Sequence, residues 1–164
     1  MFLSMVSRDE WRALPPLADI PLVTHPVENV IYQHSLDVPV CESDQECTKA
    51  VQDMQKKDME EGKPDIIYNF LIGGNGKVYE GRGWYNQSDV HMYPEYNGNR
   101  IDIAYIGNFT NNIPGHDMIV TTERIMNFAV DLDFVKPNFL ERQIVQRKEE
   151  DKAKAQEKHK VNIM

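Results

Sequence analysis

The chain has 164 residues, with 18 Lys and Arg against 26 Asp and Glu for a formal net charge of −8. That length suits one domain with its own core, and 41% apolar with 27% charged residues excludes a chain disordered throughout. The acidic balance excludes nucleic acid or an anionic membrane surface as the main partner, and no apolar run reaches the ~20 residues of a membrane span.

The opening Met1-Phe2-Leu3-Ser4-Met5 has neither a basic n-region nor an apolar h-region, so the sequence as it stands is expected to be unexported or part of a longer protein. Residues 6–26 carry Trp11, Pro15-Pro16, Pro21 and Pro26 and read as an extended, irregular lead-in, with His25 at its surface. Val30 to Ser35, β-branched and aromatic, predicts the first strand. Cys41 and Cys47 follow, bracketing Glu42-Ser43-Asp44-Gln45-Glu46. A zinc pair normally spaces its cysteines by two to four residues and needs a second pair, which the chain lacks. Free core thiols and a short disulfide, worth about 2–3 kcal/mol on the loop-entropy model, are the other readings. Ser43 with Glu46 forms a capping-box pattern, and Cys47, Ala50, Val51 and Met54 share a helical face, predicting a helix over Asp44 to Glu60.

Gly62-Lys63-Pro64 breaks that helix. Asp65 to Trp84, DIIYNFLIGGNGKVYEGRGW, is the stretch around which the fold is organised. Asn75-Gly76 between the apolar run Ile66–Ile72 and the alternating Lys77–Glu80 predicts a hairpin through a type I′ turn. It presents Tyr68 from one strand and Arg82 from the end of the other. Trp84 to Asn97 is a polar loop with His91, Tyr93 and Tyr96. Ile101 to Ile106 reads as another strand, and Met118 to Phe134 as a second amphipathic helix ended by Lys136-Pro137. The short patch Phe139-Leu140 precedes a stretch, 147–160, of charged residues, Ala and Gln with helix propensity but no apolar stripe. Asn86-Gln87-Ser88 and Asn108-Phe109-Thr110 are glycosylation triplets that matter only in an exported chain.

The hairpin run, together with IDIAYIGNFT at 101–110, resembles the peptidoglycan recognition protein family, a relative of the bacteriophage zinc amidases. The resemblance implies an α/β fold, a central mixed β-sheet flanked by helices, over residues 6–140. Residues 1–5 are then a leader remnant and 141–164 a charged, divergent tail. It implies that the last strand and the Trp-containing third helix are altered or missing, leaving an unpaired edge. It also implies a Cys41–Cys47 disulfide at the family's positions, and with it an oxidising, extracellular compartment.

Amidases of this kind bind zinc through two histidines and a cysteine, with a tyrosine aiding cleavage of the lactyl–L-alanine amide. In this chain the first ligand position is Gln33, and the later two fall at Glu141 and Glu149 or at residues equally unlike the family pattern. No cysteine follows Cys47 and the sole late histidine is His159. The resemblance therefore implies no catalytic residues, no metal and no cofactor, with Tyr68, the match to the catalytic tyrosine, kept as a groove wall.

What remains is non-enzymatic recognition of peptidoglycan fragments in innate immunity. The implied ligand residues are His34, Tyr68, Arg82, His91 and Asn97. Arg82 matches the arginine that grips the extra carboxylate of diaminopimelate-type stems, whereas Lys63 stands where those members have Trp, and Asp58 where they have a helix histidine. Those departures keep two alternatives open: a ligand-free decoy or regulatory partner of other peptidoglycan recognition proteins, and a residual zinc amidase.

Overall fold

The computed structural model describes residues 3–143, and their chain path is set by a six-stranded sheet whose central strands are buried on both faces. The elements in order are β1 (Met5–Val6), β2 (Val27–His34), α1 (Asp44–Glu60), β3 (Phe70–Ile72), β4 (Val78–Glu80), β5 (Arg100–Tyr105), α2 (His116–Asp131) and β6 (Val135–Gln143). The spatial order is β1-β4-β3-β5-β2-β6. Only the β3–β4 hairpin is antiparallel; β3–β5, β5–β2, β2–β6 and β4–β1 run parallel, giving the expected mixed α/β sheet.

Because side chains alternate along a strand, the sheet has two differently covered faces. On one, Val30, Tyr32, Phe70, Ile72, Ile101 and Ile103 pack against Met118, Ile125, Met126 and Ala129 of α2. On the other, Leu71, Tyr79 and Ala104 pack against Cys47, Val51 and Met54 of α1 and against Trp11. Trp11 is fully buried and its indole N–H donates to Glu80 O at 2.9 Å, so the lead-in is packed onto the sheet. Gln55 holds the same segment, accepting from Leu14 N (2.8 Å) and donating to Leu14 O (2.9 Å).

Helix α1 has the bounds its pattern predicts, and Ser43 Oγ caps it by accepting from Glu46 N at 3.1 Å. Three expectations are corrected. The hairpin does not turn through type I′: of its turn residues only Gly76 has positive φ (+78°), after a Gly76 N to Gly73 O hydrogen bond. This is the longer connection closed by a left-handed glycine. Asn75 instead spends its side chain locally, donating to Asp44 Oδ1 (3.0 Å) and to the Tyr79 hydroxyl (2.9 Å). Helix α2 ends at Asp131, before Lys136-Pro137, because Asp133 turns left-handed (φ +60°) and Val135 enters the sheet.

The last strand is present. β6 pairs with β2, Val27 with Val135 and then Asn29 through Tyr32 with Leu140 through Gln143; the ladder slips between those two blocks, where Lys136-Pro137 falls. Proline has no N–H for a ladder, so β6 is an interrupted outer strand, and the apolar patch Phe139-Leu140 belongs to it. The strands begin at Met5 and end at Gln143, slightly outside the expected 6–140. The charged run 147–160, Glu149 and His159 lie outside the described residues.

Cys41 and Cys47 form the disulfide implied by the resemblance, both buried. It ties the segment before α1 to the first turn of that helix and abuts the hairpin turn: a Cβ on Gly73 would lie 2.8 Å from Cys47 Sγ, and one on Gly74 2.1 Å from Cys41 O. Replacing both cysteines with serine should lower unfolding free energy by about 2–3 kcal/mol on the loop-entropy model, read from urea denaturation beside the oxidised protein.

Candidate functional site

The face covered by α1 collects most of the expected site residues at the amino end of β3. Tyr68 is buried in the α1 cluster, and its hydroxyl makes no hydrogen bond to a described residue. Burial raises its pKa above the ordinary tyrosine value, and the nearby carboxylates of Asp58, Asp102 and Asp37 push it further the same way. The hydroxyl thus stays protonated and free to donate.

Arg82 sits beside it but is itself buried. Its Nε donates to Ile66 O (2.6 Å), Nη1 to Gln87 O (3.0 Å) and Nη2 to Asp65 O (3.3 Å). Its nearest carboxylate is Asp89, at 3.7 Å. The fork expected from the resemblance has three of its donors on backbone carbonyls, two from the residues before β3 and one from the loop after β4.

One more cation, Lys63, lies against the same Asp89, with His91 beside it. Lys63 Nζ is 3.3 Å from Asp89 Oδ1 and 3.1 Å from His91 Nε2. His91 is exposed and Lys63 only partly covered, so Lys63 is the accessible cation of the site and His91 its exposed neighbour. Asp58, on α1, accepts from Ile67 N at 3.1 Å. Burial lifts its pKa to about 6; the Ile67 N–H opposes the shift, Glu61 adds to it, and Arg82 and Lys57 oppose it.

A second polar group lies on the same face of β5. Asp102, fully buried, receives Arg100 bidentately, Nε to Oδ2 at 2.7 Å and Nη2 to Oδ1 at 2.8 Å. Ser88 Oγ and Gln33 Nε2 also donate to this carboxylate, and Asn69 Oδ1 accepts from Asp102 N at 2.8 Å. Arg100 continues to the carbonyls of Met92 and Tyr93, pinning the loop that carries His91. These residues were missed from sequence. The available signal was Arg100 and Asp102 two apart, so on one face, inside an otherwise apolar strand.

Two expected residues lie elsewhere. His34 has the parity of Tyr32, on the α2 side of the sheet, and its Nδ1 accepts from Phe109 N at 2.7 Å; burial lowers its pKa. The structure does not bring it together with Tyr68. Asn97 is exposed and ends the single turn Pro94–Tyr96, where Tyr96 meets Arg142 of β6 at 3.3 Å. An open cavity of about 540 Å³ lies on the α2 side, lined by Tyr32, Thr122, Met126, Asn127, Phe139 and Glu141 among others, away from Tyr68, Arg82 and His91.

Two of the positions matched to zinc ligands, Gln33 and Glu141, are described, and they point apart. Tyr32 donates its hydroxyl to Glu141 Oε1 at 2.7 Å, whereas its neighbour Gln33 reaches Asp102 on the other face. Gln33 and Glu141 are on opposite sides of the sheet and do not share an ion. Among the described residues, Gln33 and Glu141 do not fit the amidase metal.

Two outcomes follow. Asp102→Ala strands the buried Arg100 cation and should cost about 3–5 kcal/mol in urea unfolding. Asp58 has a folded pKa raised from 3.8 to about 6. Its favourable contribution is present below the unfolded value and lost as pH rises through about 6. Asp58→Asn should therefore raise the melting temperature at pH 7.5 and leave it unchanged below pH 4, followed by differential scanning calorimetry.

The model of the family described as N-acetylmuramoyl-L-alanine amidase matches residues 22–155. Peptidoglycan-recognition protein 1 of Holotrichia diomphalia is 34% identical over 130 residues, 79% of this chain and 64% of that protein, so the chain spans just under two thirds of its length. Among solved structures, the ectodomain of the Drosophila transmembrane receptor PGRP-LCa superposes with a TM-score of 0.80 at 33% identity, covering 84% of this chain and 83% of that one. Peptidoglycan recognition protein-LE in complex with tracheal cytotoxin, a monomeric diaminopimelic acid-type peptidoglycan, gives 0.80 at 27% identity, with 85% and 81% covered. This chain belongs to the N-acetylmuramoyl-L-alanine amidase family, among its peptidoglycan recognition proteins.

Proposed function

We propose that this protein recognises fragments of bacterial peptidoglycan without cleaving them, as an exported component of innate immunity. The observation that carries the non-enzymatic part is the placement of Gln33 and Glu141 on opposite faces of the sheet. A tyrosine without a metal is a hydrogen-bond donor and an aromatic wall. Binding draws support from kinship with a protein solved on tracheal cytotoxin and from what this end of the fold still offers: an unengaged Tyr68 hydroxyl near Asp58, and an accessible Lys63 with His91 beside it. A stem carboxylate meets Lys63 first, since Arg82 has its donors on Asp65, Ile66 and Gln87. Asn97 borders the same loop, and we assign it a peripheral contact.

The occupied Arg82 and the acid at Asp58 favour a second reading, a partner of other peptidoglycan recognition proteins that has lost its own ligand. Co-sedimentation with insoluble diaminopimelate-type peptidoglycan separates the two. Folded wild type is expected in the pellet. Tyr68→Phe, losing one hydrogen bond of about 1 kcal/mol, should bind about five-fold more weakly, and Lys63→Met should lose the preference for stems with a free carboxylate. Folded wild type left in the supernatant sinks the binding reading; release of stem peptide from muropeptides with added zinc sinks the non-enzymatic one.

A further inference from the structure

The two Asn-x-Ser/Thr triplets are alike in sequence and unlike in the fold. Asn108 is exposed, just past β5. Its Oδ1 accepts from Thr110 N (3.0 Å) and from Thr110 Oγ1 (2.7 Å), while its Nδ2 makes no hydrogen bond to a described residue. Asn86 is half-buried: its Nδ2 donates to Arg82 O at 3.4 Å, and its carbonyl accepts from the buried Asn69 at 2.8 Å. The hydroxyl of its triplet, Ser88, is committed to Asp102. The loop that holds Asn86 is closed further by Arg82 Nη1 on Gln87 O.

We propose that Asn108 carries an N-linked oligosaccharide when this chain is exported, and that Asn86 does not. The proposal is independent of the ligand-binding reading. The donor class is an oligosaccharide on a polyprenyl diphosphate lipid. Asn108 Nδ2 attacks the anomeric carbon and forms the C–N bond. The bond from that carbon to the diphosphate oxygen breaks, the lipid diphosphate leaves with the electron pair, and one Nδ2 proton passes to a base of the transferring enzyme. Two donors on the amide oxygen withdraw charge from the nitrogen and make that proton easier to remove, the hydroxyl donor being the one the triplet supplies.

The fold tolerates the product at one site and not at the other. A glycan on Asn108 leaves directly into solvent. A glycan on Asn86 replaces the Nδ2–Arg82 contact inside a loop that must close on Asn69. Position matters too. β3 and β5 are parallel, with Ile72 opposite Tyr105. Asn108 therefore lies beyond the carboxyl ends of these strands, whereas Lys63, Arg82 and His91 gather at the amino end of β3. A sugar at Asn108 leaves Lys63 and His91 uncovered.

The test is expression of the full chain behind a cleavable secretion signal in a eukaryotic line, followed by peptide N-glycosidase and peptide mass mapping. The expected result is one mass step with Asp in place of Asn at 108 and unchanged Asn86. Asn108→Gln and Thr110→Val each abolish the step, whereas Thr110→Ser and Asn86→Gln keep it; mapping of the wild type locates the site even if a variant is not secreted. Secreted, disulfide-bonded protein with no mass step overturns the proposal, as does conversion found at 86 and not at 108.

Discussion

Asp102 is the group on which the site's architecture depends. A fully buried carboxylate is tolerated only when its charge and lone pairs are satisfied; here three parts of the chain satisfy it and a fourth holds its backbone N–H. Arg100 neutralises it, Gln33 reaches it from β2, Ser88 from the loop after the hairpin, and Asn69 orders its backbone from the approach to β3. Arg100 then extends to Met92 and Tyr93. One strand residue thus sets the position of Gln33, where an amidase ligand would stand, and of the loop that brings His91 to Lys63.

The surrounding electrostatics are arranged as a gradient. Deepest lie Asp102 and its Arg100; next come Tyr68 and Asp58, held toward their neutral forms chiefly by burial; outermost are Lys63, Asp89 and His91. Arg82 belongs to the interior of this gradient. Its guanidinium behaves as a structural clasp joining the residues before β3 to the loop after β4, the kind of multidentate backbone capture that a planar five-donor group performs and a lysine does not. The charge left for a ligand is correspondingly on flexible side chains at the rim.

Local patterns made much of the fold legible. Helix α1 followed from Ser43, Glu46 and the spacing of Cys47, Val51 and Met54, and its bounds agree to the residue. β5 followed from its alternation. The turn type was misread because Asn75-Gly76 is a two-residue signal, while Gly73 and Gly74 before it lengthen the connection. β6 was missed because Lys-Pro-Asn interrupts it and its outer edge is polar, so that only pairing with β2 defines it. In the site, residue types were readable but their commitments were not. Arg82 and a free arginine look identical in sequence, and nothing local announces that Gln33 and Glu141 end on opposite faces. Sheet order and strand parity decide both.

The contact between the disulfide and the hairpin turn constrains how this region can vary. With Gly73 against Cys47 Sγ and Gly74 against the carbonyl of Cys41, neither glycine has room for a side chain. The four positions 41, 47, 73 and 74 therefore form one inheritance unit. A relative that keeps the bridge and this backbone path must keep both glycines, Gly74 because it faces a backbone carbonyl that no substitution at 41 removes.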